Sequence, residues 1–272
     1  MPSAILLGSK PGAVAALLTL LRRGWDVREV VANAEEAAWL PKPSLHAVAS
    51  RLGIRVVERQ EALAAEGVDL VISYMCRHRV RAPTRDRGRI PLNFHAGPLP
   101  RYAGWAFYNV AILEDATEYG CTCHVMDDGF DTGPLVEVRR FPIDAKAETA
   151  VSLERRAQEE MLRLFEDVLA RYESTGGLDA TPQDPATLRY LDAKAFAALK
   201  EIPADADAAT IDRIARAFWY PPYEMAWMRT ASGTRVEVIP AIAKDGIARH
   251  LHAADLANAL AITGTSLPAE KD

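Results

Sequence analysis

The sequence predicts an α/β fold: a doubly wound, mostly parallel sheet followed by a small C-terminal unit of helix and β-hairpin. Three observations carry this. Short apolar runs of strand character alternate with helical patterns along the N-terminal part of the chain, the arrangement that puts parallel strands side by side with helices across them. The run at residues 68–73 is almost continuously apolar rather than alternating, as a strand covered on both faces is. Glycines stand where the helical patterns stop, at Gly24, Gly53 and Gly67. Together they describe a Rossmann-like sheet.

The elements follow in order. Residues 3–7 are the first short apolar run, and Gly8-Ser9-Lys10-Pro11-Gly12 is a tight turn after it. That turn matches neither the Walker loop nor the dinucleotide fingerprint in full. A helical pattern runs on to Arg23, and residues 27–31 form a second β-rich run. Residues 45–52 read as a helix, 54–57 as a strand, 61–66 as a short helix and 68–73 as the next strand. Ligands of such folds bind beyond the carboxyl ends of the strands, near the switch in strand order. Residues 73–77 and 93–95 both follow apolar runs and are expected there.

Further on, residues 134–141 read as a strand and 147–171 as a long helix, with Leu153, Ala157, Met161, Leu164 and Val168 at helical spacing. Ser174-Thr175-Gly176-Gly177 and the stretch to Pro185 form a linker. Residues 208–217 are helical until Pro221-Pro222, and 224–230 with 234–239, joined by Ala231-Ser232-Gly233, make a hairpin. An Ala/Leu-rich helix and a polar tail complete the chain. The expected division is a unit of residues 1–180 and a helix/hairpin region of residues 181–272.

With 272 residues and 49% hydrophobic content, the chain suits one large core, or one core and a small appendage. A net charge of −5 argues against broad nucleic-acid binding and against a membrane-surface role, because both depend on a basic field. The three cysteines, two of them in Cys121-Thr122-Cys123, give no disulfide framework and fit a reducing cytoplasm. The apolar run at residues 13–21 looks superficially like a signal-peptide core. Lys10 alone precedes it as a basic residue, and the glycine turn interrupts it, so strand, loop and helix is the better description. No stretch is long and apolar enough to span a bilayer.

Residues 93–104 read Asn-Phe-His-Ala-Gly-Pro-Leu-Pro-Arg-Tyr-Ala-Gly, and residues 124–133 read His-Val-Met-Asp-Asp-Gly-Phe-Asp-Thr-Gly. Asn93 and His95 are two apart, so on an extended segment both side chains point the same way. An amide, an imidazole and the separately delivered carboxylate of Asp131 suit transfer of an acyl or formyl group: the amide stabilises an oxyanion, the imidazole moves a proton, and the carboxylate orients or relays. Cys121, Cys123 and His124 lack metal-site spacing and a second pair, so no metal is expected.

This double motif resembles the folate-dependent formyltransferases, which move a formyl group from N10-formyltetrahydrofolate to an amine. Their signature is Asn-x-His, then Leu-Pro-x-x-x-Gly, then His-x-Met-x-x-x-x-Asp-x-Gly. Here these are Asn93 and His95; Leu99, Pro100 and Gly104; and His124, Met126, Asp131 and Gly133. The resemblance covers roughly residues 1–175, makes residues 1–180 the catalytic domain, and implies that Asn93, His95 and Asp131 are catalytic. It implies the formylated folate as co-substrate, with Leu99, Pro100, Gly104 and the loop Asp127, Asp128, Gly129 and Phe130 holding it, the last four through main-chain groups. His124 and Met126 are expected on the strand before that loop, with His124 structural.

Within the family the acceptor is open. Arg77, Arg79, Arg81, Arg85, Arg87 and Arg89 precede the first motif with Asp86 the one acid among them. They either bind an anionic substrate, arginine being suited to phosphate, or form a solvated surface. Ser73-Tyr74-Met75-Cys76-Arg77 resembles a segment of members that formylate nucleotide-linked amino sugars, though Cys76 stands where those often have tyrosine. Phe218-Trp219-Tyr220-Pro221-Pro222-Tyr223 resembles another, and Trp219 or Tyr223 either stacks on a base or packs the small C-terminal unit. The acceptor site is therefore expected to use Arg77, Tyr74, Tyr102, Trp219 and Tyr223.

The stretch Ala32-Asn33-Ala34-Glu35-Glu36 is short and acidic, where members acting on methionyl-tRNA carry a basic insertion, and the chain after Arg189 has no basic excess for a tRNA. A nucleotide-linked amino sugar of surface-polysaccharide (O-antigen) synthesis is the expected acceptor. The alternatives are methionyl-tRNA, hydroxyornithine, or a folate- or nucleotide-binding module without turnover. The resemblance also implies a cytoplasmic homodimer joined through the C-terminal hairpin.

Overall fold

Side chains along the central strands alternate between two faces, and the two faces are covered very differently. The computed structural model describes residues 1–34, 42–76, 79–104, 107–184, 186, 190–191, 193–245 and 251–269. Strands β1 (Ser3–Gly8), β2 (Asp26–Val31), β3 (Arg55–Val57), β4 (Val68–Tyr74) and β5 (Gly88–His95) pair in parallel. The two-residue β6 (Ala103–Gly104) lies outside this sheet, while β7 (Glu118–Val125) and β8 (Leu135–Pro142) add to it antiparallel. The sheet has seven strands in the order β3-β2-β1-β4-β5-β7-β8. Its order reverses between β1 and β4, as expected of a doubly wound sheet.

Ala4, Leu6, Leu70, Ile72, Leu92 and Phe94 face the main core. Against them pack α1 (Pro11–Arg22), α2 (Leu45–Arg51) and α5 (Ala150–Thr175), with α8 (Leu251–Thr263) behind α1 and α5. Helix α5 starts where Thr149 and Ser152 cap each other's backbone, and it ends on Gly176 at φ 70°, the left-handed position glycine takes without strain.

On the opposite face Ile5, Leu7, Val31 and Val71 are covered by Val57, Leu63 and Val80, from short segments. The helix expected at residues 61–66 is a single 3-10 turn, Gln60–Ala62. Its cause is Glu29: that buried carboxylate on β2 accepts the N–H groups of Ala64 and Ala65 and pairs with Arg55, taking donors a longer helix needs. Helix α3 is likewise brief, Ala82–Arg85.

Helix α4 (Phe107–Leu113) follows the first motif. Strand β9 (Tyr190–Leu191) pairs with β6, and α6 (Ala193–Ala198) and α7 (Ala208–Ala217) follow. The hairpin is present but shorter than expected, β10 (Trp227–Arg229) against β11 (Arg235–Glu237). Ile214, Ala217, Phe218 and Leu256 belong to the same hydrophobic core as α1 and α5. Lys10, in the turn after β1, forms an ion pair with Glu154 of α5, and Tyr220 shares both partners. No described helix is long and apolar enough to cross a membrane.

Candidate active site

Antiparallel pairing of β5 with β7 sets the site. Asn93 lies opposite His124, Phe94 opposite Cys123, and His95 opposite Thr122. Phe94 and Cys123 turn into the main core, where Phe94 packs on Tyr74 and Phe165 at 5.7 and 5.0 Å between ring centroids. Alternation then puts Asn93, His95, His124 and Thr122 together on the thinly covered face.

The His95 ring is held from both sides. Its Nε2 is 2.7 Å from the main-chain oxygen of Tyr102. A carbonyl only accepts, so in neutral imidazole the proton sits on Nε2 and Nδ1 keeps the lone pair. Nδ1 is 3.7 Å from Asp131 Oδ2. Phe107 of α4 closes over the ring at 4.5 Å. Gly97 makes the close fit possible: a Cβ there would meet His95 Nε2 at 2.8 Å and Tyr102 O at 3.0 Å. Below it, Thr122 accepts the N–H of Leu99 and donates to Gly97 O, at 3.0 and 2.8 Å.

Asn93 is oriented by His124. His124 Nδ1 lies 3.0 Å from Val125 O, and its Nε2 lies 3.0 Å from Asn93 Nδ2. The same logic protonates Nδ1 and leaves Nε2 to accept from the Asn93 amide. The second Asn93 N–H points to Asp131 Oδ1 at 3.4 Å, long for such a bond, and is the one free to turn onto a ligand oxygen.

Asp131 is where the two motifs meet. Gly104, at φ 79°, donates its N–H to Oδ2 at 2.9 Å. Burial acts to raise the Asp131 carboxyl. The His95 and His124 rings in their protonated form, together with the Gly104 amide, outweigh it and hold the group well below the usual carboxylate range. Asp131 itself sits at φ 56°, an unusual conformation for a residue with a side chain. Gln183, in the segment read as a linker, donates from Nε2 to Asp131 O and Gly133 O at 2.8 and 2.7 Å.

Several expected positions have other roles. Tyr74 has no exposed surface and stacks in the core, so it is not a substrate contact; it is the last residue of the apolar strand β4 and continues its inward face. Tyr102 is also buried, and its part is the carbonyl on His95. Leu99 is buried and anchored through its N–H, and Gly104 serves Asp131. Asp127 holds its own loop, accepting from Gly129 N and Thr132 Oγ1. Pro100 is half-buried, and Gly129 and Phe130 are exposed. Asp128 pairs with Arg85 at 2.8 Å. Trp219 is half-buried and Tyr223 exposed, the latter 5.5 Å from the Tyr220 ring. Tyr220 reaches Lys10, so this aromatic segment sits by the carboxyl end of β1.

The arginine segment is largely met by the chain's own acids. Arg81 pairs with Glu61, Arg85 with Asp86 and Asp128, and Arg87 with Glu66. Arg89 interacts with Asp69 and Tyr172. Arg79 lies over the Phe130 ring at 5.3 Å. Arg77 lies outside the described residues. Among the described residues no cluster of His, Cys, Asp or Glu is placed to hold a metal ion. Burial pushes the thiols of Cys121 and Cys123 up, as for core cysteines.

Residues 26–169 match the family model described as formyl transferase. The chain belongs to the formyl transferase family. Among curated members, it is 35% identical over 165 residues to a methionyl-tRNA formyltransferase of Burkholderia multivorans, covering 55% of this chain and 50% of that protein. It is 38% identical over 127 residues to the Nitrosospira multiformis enzyme of that name, covering 47% and 40%. The chain thus spans half the length, or less, of these family members.

Among solved formyltransferase structures, the N-formyltransferase of Helicobacter canadensis, in complex with folinic acid and dTDP-3-aminofucose, superposes with a TM-score of 0.73 at 22% identity, covering 85% of each chain. A 4-N formyltransferase of Francisella tularensis gives 0.70 at 17% identity, over 88% of this chain and 96% of its own. Both share the fold.

Proposed function

We propose that this chain is an N-formyltransferase that uses N10-formyltetrahydrofolate to formylate the amino group of a nucleotide-linked amino sugar. The observation that carries the reaction type is the convergence of Asn93, His95 and Asp131, with His95 Nδ1 left basic and facing a carboxylate. The loop Asp127, Asp128, Gly129 and Phe130 fits a folate-type co-substrate. It is braced from behind by Thr132 and Arg85 while Gly129 and Phe130 stay exposed.

When bound, the formylated folate supplies an activated formyl carbon. His95 Nδ1 takes the proton that the acceptor amine sheds as the new C–N bond forms, and returns it to the departing nitrogen as the old C–N bond breaks. Asp131, ionised throughout, stabilises the transient imidazolium and fixes its ring, as an orienting carboxylate does beside a catalytic histidine. Asn93 turns its loosely held N–H onto the formyl oxygen as negative charge develops there, an oxyanion-hole role. His124 keeps that amide facing the right way.

The amino-sugar acceptor rests on two supports. The two solved neighbours described above match over 85% and 96% of their own length, and one of them is bound to dTDP-3-aminofucose. The Trp219–Tyr223 aromatic segment lies by the carboxyl end of β1, where a nucleotide base has a stacking partner. Arg77 completes this acceptor site in our reading. Surface-polysaccharide synthesis in the cytoplasm, by a homodimer joined through the C-terminal unit, belongs to the same proposal. The reading as a methionyl-tRNA formyltransferase is favoured by sequence identity to that branch. Against it stands the net charge of −5, since tRNA binding draws on a positive field.

Incubation with N10-formyltetrahydrofolate and a panel of UDP-, GDP- and dTDP-linked amino sugars, beside methionyl-tRNA and hydroxyornithine lanes, tests this by mass spectrometry. Formylation of a nucleotide sugar supports the proposal. Transfer to tRNA or hydroxyornithine alone keeps the chemistry and overturns the acceptor. Folate binding without transfer to any of them overturns the enzyme.

A further inference from the structure

We infer that Gln183 is a positioning residue: from the segment leading to the C-terminal unit, its side-chain amide clamps the main chain of Asp131 and so sets where that carboxylate stands relative to His95 and Asn93. The inference rests on the role given to Asp131 above, but its geometry is independent of the substrate.

Thr181 and Leu135 exchange main-chain hydrogen bonds at 2.7 and 2.8 Å, which lays the segment along the start of β8. Gln183, two residues on, is on the same side of that extended segment and reaches the loop between β7 and β8. Both N–H groups of its amide are spent there, on Asp131 O and Gly133 O. The opposite amide orientation would set an oxygen against two carbonyl oxygens, so the partners fix it. Among the described residues the amide oxygen has no hydrogen-bond partner and is buried, a cost the fold accepts to keep both donors on the loop.

The loop needs such a clamp. Asp131 is held at φ 56°, where a side chain is strained. Its neighbour Gly133 is pressed so close to β7 that a Cβ would sit 1.8 Å from Val125 O. The carboxylate contacts that matter are at 3.5 Å to His124 and 3.7 Å to His95, so a small loop shift alters both. A chain segment that leads into α6 and α7 thereby bears directly on the site.

The tests are Gln183→Ala and Gln183→Glu, the second keeping the size but losing both donors. In each, kcat for formyl transfer is expected to fall about 10- to 100-fold, the scale of a misplaced catalytic group, with KM for donor and acceptor within about twofold. The melting temperature is read alongside. Unchanged kcat, or a loss that only follows the unfolded fraction, overturns the inference.

A second readout needs no turnover. In the parent chain the Gln183 side-chain amide protons should exchange slowly, and the Asp131 Cα and Cβ chemical shifts should report a left-handed backbone that both variants lose. Freely exchanging amide protons, or Asp131 shifts unmoved in the variants, overturn the clamp. Absence of formyl transfer by the parent chain, with these signals as expected, would count against the proposed function and leave the clamp standing.

Discussion

Gly104 donates its main-chain N–H to Asp131 Oδ2 across 2.9 Å, so the loop after β5 and the loop after β7 are joined at the carboxylate itself. That contact explains the glycine at the end of the Leu-Pro-x-x-x-Gly motif: φ is 79° there, and a side chain in that region costs about 1–2 kcal/mol. Gly104→Ala should therefore swing the N–H off Asp131. Steady-state kinetics are expected to show kcat reduced at least tenfold, with the melting temperature lowered by a few degrees through the strained backbone.

His124 orients Asn93 through a 3.0 Å contact without touching the reacting atoms. His124→Ala should release the amide, and kcat is expected to fall by about 10²-fold, as for other lost alignments. His124→Gln, which can still accept from Asn93, should recover part of the loss. Equal rates in both variants would show that the ring is filling space only.

Gly97 allows the loop to close on His95. Gly97→Ala would press a methyl 2.8 Å from His95 Nε2 and 3.0 Å from Tyr102 O, and overpacking of this kind costs about 1–3 kcal/mol. The expected result is a lower urea midpoint together with a loss of kcat, because the same methyl displaces the proton-bearing nitrogen from its carbonyl.

The Asp131 carboxyl is held below its ordinary value by the two histidine rings when they carry a proton, and by the Gly104 amide, acting against burial. A carboxyl with a depressed folded-state value contributes stability that is complete above its unfolded value of about 3.9 and is lost as pH falls toward the folded one. Asp131→Asn should thus be less stable than the parent at pH 7, and the gap in urea denaturation should shrink as pH is lowered below ~3.9. A gap independent of pH would contradict this.

Lys10, Glu154 and Tyr220 tie the turn after β1 to α5 and to the aromatic segment. Lys10 and Glu154 side chains are 15% and 6% exposed. Lys10→Met leaves a buried carboxylate without its cation and should cost about 3–5 kcal/mol in denaturant unfolding. Lys10→Met with Glu154→Gln should recover much of it.

Most of the sheet was legible because its signals are local. Apolar runs, glycine stops and the stripe Leu153, Ala157, Met161, Leu164 and Val168 lead to β1, β4, α1 and α5 with shifts of a few residues. The length of α5 needed its caps, Thr149 and Gly176. The failed helix at 61–66 was illegible since its competitor, Glu29, is far away in sequence.

At the site, period-two alternation correctly paired Asn93 with His95, and the resemblance brought in Asp131. Tyr74 was misassigned because an aromatic at a strand end reads alike whether it faces a ligand or, as here, Phe94 and Phe165. Gly97 had a visible signal, a glycine two residues after the histidine. Gln183 had none: an ordinary glutamine in a Pro-containing stretch acquires its role only when Thr181 bridges to Leu135.

The central claim is that His95 moves the proton in formyl transfer, backed by Asp131. Single-turnover transfer from N10-formyltetrahydrofolate to a nucleotide-linked amino sugar, compared between the parent chain and His95→Ala, tests it most directly. Rapid transfer by the parent is expected, and transfer by His95→Ala slowed at least ~10²-fold, with both chains melting cooperatively and binding the folate. Near-parental transfer by a folded His95→Ala would contradict it.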